Sequence, residues 1–300
     1  MRPNTYALCE PELDPPFEVL EPGRVELPLV FNSPHSGMVY PARFLASSRL
    51  DPVALRRSED THVDSLFLGG VGLGAPLMRA HFPRSYLDVN REPYELDPRM
   101  FDGRLPVVAN TRSMRVAGGL GTIPRLVGEG HEIYARRLPV AEAIHRIEGI
   151  YKPYHRALQA LLARARRHFG LSLLVDCHSM PSCSRGAGSS SEADFVIGDR
   201  YGTSCPAIIV DVACYEIERA GFSISRNKPY AGGFNTEHYG NPLVSSYAMQ
   251  IEVNRALYLD ENTLELNENY NDLKHTITSV VKAIAFQTLQ LMAKIQIAAE

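Results

Sequence analysis

Four residues far apart in the chain are of the types that hold a metal ion or move a proton: His35, Asp60, His178 and Glu252. His178 stands in LSLLVDCHSMPS, residues 171–182, where the apolar run of Leu171, Leu173, Leu174 and Val175 stops abruptly at Asp176-Cys177-His178. A side-chain period of two puts Asp176 and His178 on one face and Cys177 on the other. His35 tips the turn Ser33-Pro34-His35-Ser36-Gly37, and Asp60 lies in Ser58-Glu59-Asp60-Thr61-His62-Val63-Asp64. Glu252 sits in an alternating stretch in which Gln250, Glu252 and Asn254 face away from Met249, Ile251 and Val253; an acid on a buried strand needs a reason. A catalytic zinc takes three such protein ligands and leaves a place for water. It brings the pKa of that water to ~7, and a nearby carboxylate then carries the proton to the leaving nitrogen. His35, Asp60 and His178 as ligands with Glu252 as base fit that inventory. A plainer reading stays open beside it: a core histidine satisfied by its own Asp176, and Ser58 or Asp60 capping a helix. No H-E-x-x-H places two ligands on one helical turn.

These residues need strands that end together. In open α/β sheets, ligands sit beyond the carboxyl ends of the strands. Residues 1–24 are proline-broken and read as a surface-wrapping segment. Residues 25–32 read as the first strand, and 75–89 as one or two strands running into Asp88-Val89-Asn90-Arg91. Residues 92–130 are loop-like and contain GGLGTIPR (118–125), whose glycines can cradle an anion; no nucleotide-binding glycine motif accompanies them. Apolar positions recur at three and four through 138–169, a helix. Pro139 suits its first turn, Pro153 should kink or split it and Gly170 should end it. After the strand at 171–182, residues 185–191 read as a loop, 193–198 as a strand, 206–220 as a helix and 221–230 as a strand. Then come Gly232-Gly233 and a glycine-bounded turn at 236–240, a long strand at 244–258 and a C-terminal helix at 264–298. No repeat or linker divides the chain, so one domain over residues 1–300 is expected, of α/β class.

The 300 residues are 45% hydrophobic and 22% charged, ordinary for a globular protein, with a net charge of -3. Nothing in that balance points to nucleic acid or a membrane surface as partner, and no apolar run approaches the ~20 residues of a membrane span. Five cysteines without C-x-x-C spacing suit reduced thiols and a cytoplasmic location. Oligomeric state is not readable.

FNSPHSG, SEDTHVD, RSYLDVNRE, NTRSMRVAGGLGTIPR, YKPYH, LLVDCHSMPS, DFVIGDRYG, GGFNTEHYG and MQIEVNRALYLDE follow one another from near residue 30 to near residue 260. In number and order these stretches resemble the N-formylglutamate amidohydrolase family. The resemblance implies a three-layer α/β/α fold with a mixed, mostly parallel central sheet, like that of zinc-dependent exopeptidases. It implies hydrolysis of N-formyl-L-glutamate to formate and L-glutamate in a histidine-degradation route, and a design similar to zinc carboxypeptidases and the aspartoacylase and succinylglutamate desuccinylase group. By it, His35 and His178 are zinc ligands, Asp60 the carboxylate ligand and Glu252 the catalytic base. Glu59, His62 and Asp64 crowd Asp60 and offer alternative donors. Carboxypeptidase relatives place the first histidine and the acid in one H-x-x-E turn; here no acid follows His35, so it must come from later in the chain. Asp88-Val89-Asn90-Arg91 is similar to the D-L-N-R stretch in which asparagine and arginine hold substrate, with valine for leucine at 89.

The implied substrate is a dianion, and arginine binds carboxylate bidentately without losing its charge. Asn90, Arg91, Arg125 and Arg255 are therefore substrate-binding candidates, with Arg91 and Arg125 favoured for the two carboxylates. Arg84 and His238 are candidates for stabilising the tetrahedral intermediate. Cobalt, manganese or iron also suit such a site. The competing readings are hydrolysis of another N-acyl amino acid or short amide on the same site, a metal-binding protein without turnover, and a cysteine hydrolase. Cys177 points away from His178, which leaves Cys183 for the last; a serine hydrolase lacks its G-x-S-x-G.

Overall fold

The computed structural model of the chain describes residues 10–128, 130–182 and 193–299. Cys9, Cys183 and the loop read at 185–191 lie outside them. The strands that matter are β1 (Phe17–Leu20), β2 (Leu29–Ser33), β3 (Leu77–Ala80), β4 (Ser172–Met180), β5 (Phe195–Gly198), β6 (Ile224–Arg226) and β7 (Ser246–Asn254). They form one mixed sheet in the order β1-β3-β2-β4-β7-β5-β6. All nine residues of β4 are buried, as its unbroken apolar start requires of a central strand. β2 runs parallel to β4 on one side, with Asn32 opposite Asp176. β7 runs parallel on the other, from Ser246 opposite Ser172 to Asn254 opposite Met180. Beyond β7 the direction changes, where β5 pairs antiparallel.

Alternation decides which face does what. Leu173, Val175 and Cys177 of β4 and Met249, Ile251 and Val253 of β7 enter the hydrophobic core, where helices α3 (Ala207–Arg219) and α5 (Tyr270–Ala299) bring Ile209, Ala213, Ile277 and Ile284. The opposite face of the same strands carries Asp176, His178, Gln250 and Glu252. Helices α1 (Val140–Arg146) and α2 (Lys152–Phe169) occupy the stretch read as one helix, joined by a wider π-helical turn at Ile147–Tyr151. Pro153 lacks an N–H and its ring crowds the carbonyl four residues back, at Gly149; the π turn loosens the helix at that place. Gly170 closes α2 with a φ of 78°.

Two expectations change. The first strand is not at 25–32: residues 1–24, read as a surface-wrapping segment, already supply the edge strand β1. The stretch at 75–89, read as one or two strands, yields one, β3; Pro83 then starts a turn whose carbonyl accepts from the Tyr86 amide at 2.9 Å. The segment before Gly240 is a short helix, α4 (Phe234–Tyr239), rather than a turn, with Gly233 at its N-cap.

Packing groups the described residues into two compact units. The first draws on Met1–Glu18, Pro34–Glu59 and Arg79–Leu158. Its interior is aromatic: Phe44 meets Tyr86 edge-on at 5.3 Å, and the buried Arg146 guanidinium lies 3.8 Å from the Tyr86 ring centroid. The second draws on Val19–Ser33, Asp60–Met78 and Gln159–Glu300 and holds the aliphatic core described above. Among the described residues no helix is long and apolar enough to cross a membrane.

Candidate metal centre and its base

β4 delivers His178 near its carboxyl end with both ring nitrogens facing carboxylates. Nε2 lies 2.8 Å from Oδ2 of Asp176 and Nδ1 lies 3.0 Å from Oδ2 of Asp60. Asp176 is fixed in turn by amide donors: Asn32, its register partner on β2, at 2.6 Å, and Asn235 of α4 at 3.3 Å. Asp60 uses its other oxygen elsewhere. Arg255 donates to Oδ1 at 3.1 Å, and Ser179 donates to it at 3.2 Å while accepting from Arg255 Nε at 3.0 Å. Burial works against a charged His178, but Asp176, Asp60 and Glu252 together outweigh it and hold the imidazole well above its ordinary pKa.

His35 follows β2 by two residues and is 1% exposed. Its Nε2 is 2.9 Å from Oδ1 of Asp88. Asp88 also accepts from Arg84 Nε at 3.0 Å and the Asn90 amide at 2.8 Å, with Arg91 Nη2 at 3.5 Å. Burial alone would raise the Asp88 carboxyl; Arg91, Arg84 and His35 reverse this and hold it well below the usual carboxylate range. Arg91 is itself buried, donating to the Leu120 and Asn90 carbonyls at 2.8 and 2.7 Å. Burial, with Arg84 and Arg115 repelling it, brings Arg91 down to about 10.

The ligand atoms of His35, Asp60 and His178 all lie within 4.8 Å of one another, and all three residues are buried. Glu59, His62 and Asp64 do not belong to that group. Glu59 instead accepts from Tyr40 at 2.6 Å and Arg56 at 3.0 Å. Two imidazoles and one carboxylate suit a divalent transition metal. Each histidine also has a carboxylate against one ring nitrogen, Asp88 on His35 and Asp176 on His178, the support that metal-binding histidines commonly receive. The residues therefore fit a metal ion.

Glu252 stands opposite His178 in the β7–β4 register and is 7% exposed. Gln250, two residues earlier on the same face, donates to its Oε1 at 2.6 Å. The Gly233 amide donates to Gln250 Oε1 at 2.9 Å, so the side-chain NH2 is the end left for Glu252.

The other candidates divide. Arg84, Asn90 and Arg91 gather on Asp88. Arg255 is spent on Asp60 and Ser179. Arg125 binds Asp97 at 2.9 Å and Glu132 at 3.2 Å. His238 stacks on Phe234 of α4 with ring centroids 4.8 Å apart. It lines a recess of about 340 Å3 with Ser172 and Ser246. Those two residues open β4 and β7, so His238 keeps to the far end of both strands from His178 and Glu252. Sequence reasoning assigned no part to Asp88, Gln250, Asn32 or Asn235. For Asp88 and Gln250 a signal existed: Asp88 heads the Asp88-Val89-Asn90-Arg91 stretch, and Gln250 shares a strand face with Glu252.

The N-formylglutamate amidohydrolase family profile matches residues 27–259. The N-formylglutamate deformylase of Pseudomonas putida is 30% identical over 241 residues, covering 78% of this chain and 83% of that protein. Its counterpart from Pseudomonas aeruginosa is 28% identical over 248 residues, 81% and 86% of the two chains. The solved N-formylglutamate amidohydrolase of Ralstonia eutropha JMP134 superposes with a TM-score of 0.82 at 35% identity, covering 94% of this chain and 99% of that one. A gene product of Agrobacterium tumefaciens, 17% identical with a TM-score of 0.58, shares the fold, covering 89% of this chain and 94% of that one.

Proposed function

Because the chain belongs to the N-formylglutamate amidohydrolase family, we propose that it hydrolyses the amide of N-formyl-L-glutamate to formate and L-glutamate with zinc held by His35, Asp60 and His178. The observation that carries this reading is that buried trio, with Glu252 in register beside one of its members. Bound there, zinc lowers the pKa of water to ~7 and polarises a carbonyl. Glu252 accepts the proton of the attacking water and delivers it to the amide nitrogen as the C–N bond breaks, which releases formate and the amine of glutamate. Gln250 keeps the Glu252 carboxylate turned to that task. Arg84, about a quarter exposed on the Asp88 hub, stabilises the oxyanion, and Asn90 and Arg91 shape the substrate side of the hub. Arg255 acts by holding Asp60, and Arg125 and His238 are given structural parts. On this reading the enzyme works in the cytoplasm, in histidine degradation, on a small soluble substrate.

The test is metal content and formate release, before and after chelation and zinc add-back. One equivalent of zinc per chain, with activity that disappears and returns with it, is the expected result. Activity that survives complete metal removal overturns the metal mechanism. Comparable rates on N-formylmethionine or N-acetylaspartate overturn the substrate.

A further inference from the structure

The short helix α4 reaches the metal centre twice from its first turn. Gly233, its N-cap, donates its amide to Gln250 Oε1 at 2.9 Å, and Gln250 Nε2 donates to Glu252 at 2.6 Å. Two residues on, Asn235 Nδ2 donates to the two oxygens of Asp176 at 3.3 and 3.4 Å. Oδ2 of Asp176 faces His178 Nε2 at 2.8 Å. One line of contacts ends at the proposed base and the other at a candidate metal ligand. Asn235, Asp176, His178, Gln250 and Glu252 are all buried, and all belong to the second compact unit.

The lead-in to α4 is itself seated on the sheet. Gly198 ends β5 and is the register partner of Gln250 on β7. A Cβ on Gly198 would stand 2.6 Å from the Ala231 carbonyl carbon and from the Gly232 nitrogen, so the chain entering α4 lies directly on that strand end. The Arg200 amide donates to the Ala231 carbonyl at 2.8 Å and holds the lead-in there.

We propose that the first turn of α4, at 233–235, is a positioning element that sets the base and a metal ligand together, with Asn235 and Gln250 as its positioning residues. The proposal rests on the deformylase reading above. Both residues act through a neighbour. An amide whose oxygen is taken by a backbone N–H presents its NH2 in a fixed direction, and a carboxylate that accepts from it is held in one orientation for proton transfer. Asn235 acts through Asp176 on the ring orientation of His178, and outer partners of this kind are worth about 10- to 100-fold in metal affinity or activity. Because both lines start on one six-residue helix, a displacement of its first turn alters both ends at once.

Zinc affinity, by titration calorimetry on metal-free protein, and kcat at saturating zinc are measured for wild type and three variants. Gln250→Met, of similar length but without the donor, is expected to lower kcat about 10- to 100-fold with KM and zinc affinity kept. Asn235→Leu is expected to weaken zinc binding about 10-fold, with kcat recovered once zinc is saturating. Gly198→Ala alters neither residue but pushes the lead-in off the sheet, and is expected to change both readouts. A merely structural role would lower the thermal midpoint of each variant and leave zinc affinity and kcat of the folded enzyme at wild-type values; that result overturns the assignment alone. A Gly198→Ala enzyme in which only one readout moves overturns the common positioning. A wild type that binds zinc and releases no formate overturns the deformylase reading together with the part given to Gln250.

Discussion

Asp176 and Asp88 each stand against one nitrogen of a metal-binding candidate, and each is itself pinned by amide or guanidinium donors. Glu252, to which the neutral Gln250 donates, is not one of the three grouped ligands, so a substitution can separate the proposed base from the metal. Glu252→Gln should retain one metal ion per chain while kcat falls by about 100- to 10,000-fold, the usual worth of a positioned base. Metal analysis beside a formate assay checks this; undiminished turnover would sink the assignment. The thiols allow a second test. Burial pushes Cys177 well up and, with Asp211, Glu218 and Asp199 adding, Cys214 up to about 11. Only the thiolate is alkylated. Iodoacetamide at pH 7 should therefore leave Cys177 and Cys214 unmodified in peptide maps, with Cys214 labelling climbing as pH approaches 11. Rapid labelling of either at neutral pH contradicts the burial. At this scale His35, Asp60 and His178 could be picked out because the residue types able to hold a metal come from a short menu, and the structure does bring these three together; the part of base remains a proposal for Glu252. Whether a guanidinium is open or spent was not legible. Arg255 and Arg125 look alike in sequence, yet both answer internal carboxylates, Asp60 for one and Asp97 with Glu132 for the other.

Strand ends carried most of what the chain disclosed about its elements. The apolar run into Asp176-Cys177-His178 and the alternation around Glu252 predict β4 and β7 with the right faces, because period two is a property of the strand itself. That the two strands pair, with Glu252 opposite His178, is a long-range register no local pattern contains. Short elements were misread for a related reason. Glycines bounding the 234–239 segment suggest a turn, whereas six residues suffice for α4 once Asn235 is anchored on Asp176. The turn after β2 has a constraint of its own. A Cβ at Gly37 would run into the Phe82 and His81 backbone carbonyls. Backbone has no rotamer with which to retreat, so Gly37→Ala should cost on the order of 1–3 kcal/mol of stability. It should also weaken metal binding by displacing His35, two residues away. Denaturant melts and a metal titration of the variant measure both. A variant with native stability and affinity would show that the turn yields freely.

For the molecule as a whole, a metal that binds only the native state adds to its stability by mass action. Three ligands drawn from separate stretches of chain are not assembled when it unfolds. With free metal about 100-fold above its dissociation constant the gain is about 2.7 kcal/mol, roughly 5 °C in the thermal midpoint. Chelation should remove that increment and zinc restore it, read by calorimetry at fixed pH. An unchanged midpoint would mean that the trio holds no ion. The α/β class and the absence of a repeat were legible from the order of elements. The division of the packing into two units was not, since each unit is assembled from three stretches and no boundary marks them.

The spacing of the site along the chain also has a consequence for how the protein is made. Asp60 meets His178 across 118 positions and Arg255 across 195. A ribosome delivers His35 and Asp60 early, His178 much later, and β7 with Glu252 and Arg255 after that. Until β7 emerges, β4 has a buried-type strand edge with nothing beside it, an adhesive surface on a nascent chain. A message truncated before β7 therefore yields a product destined for chaperone capture or proteolysis rather than a weak enzyme, and the proposed metal would load only onto the finished polypeptide.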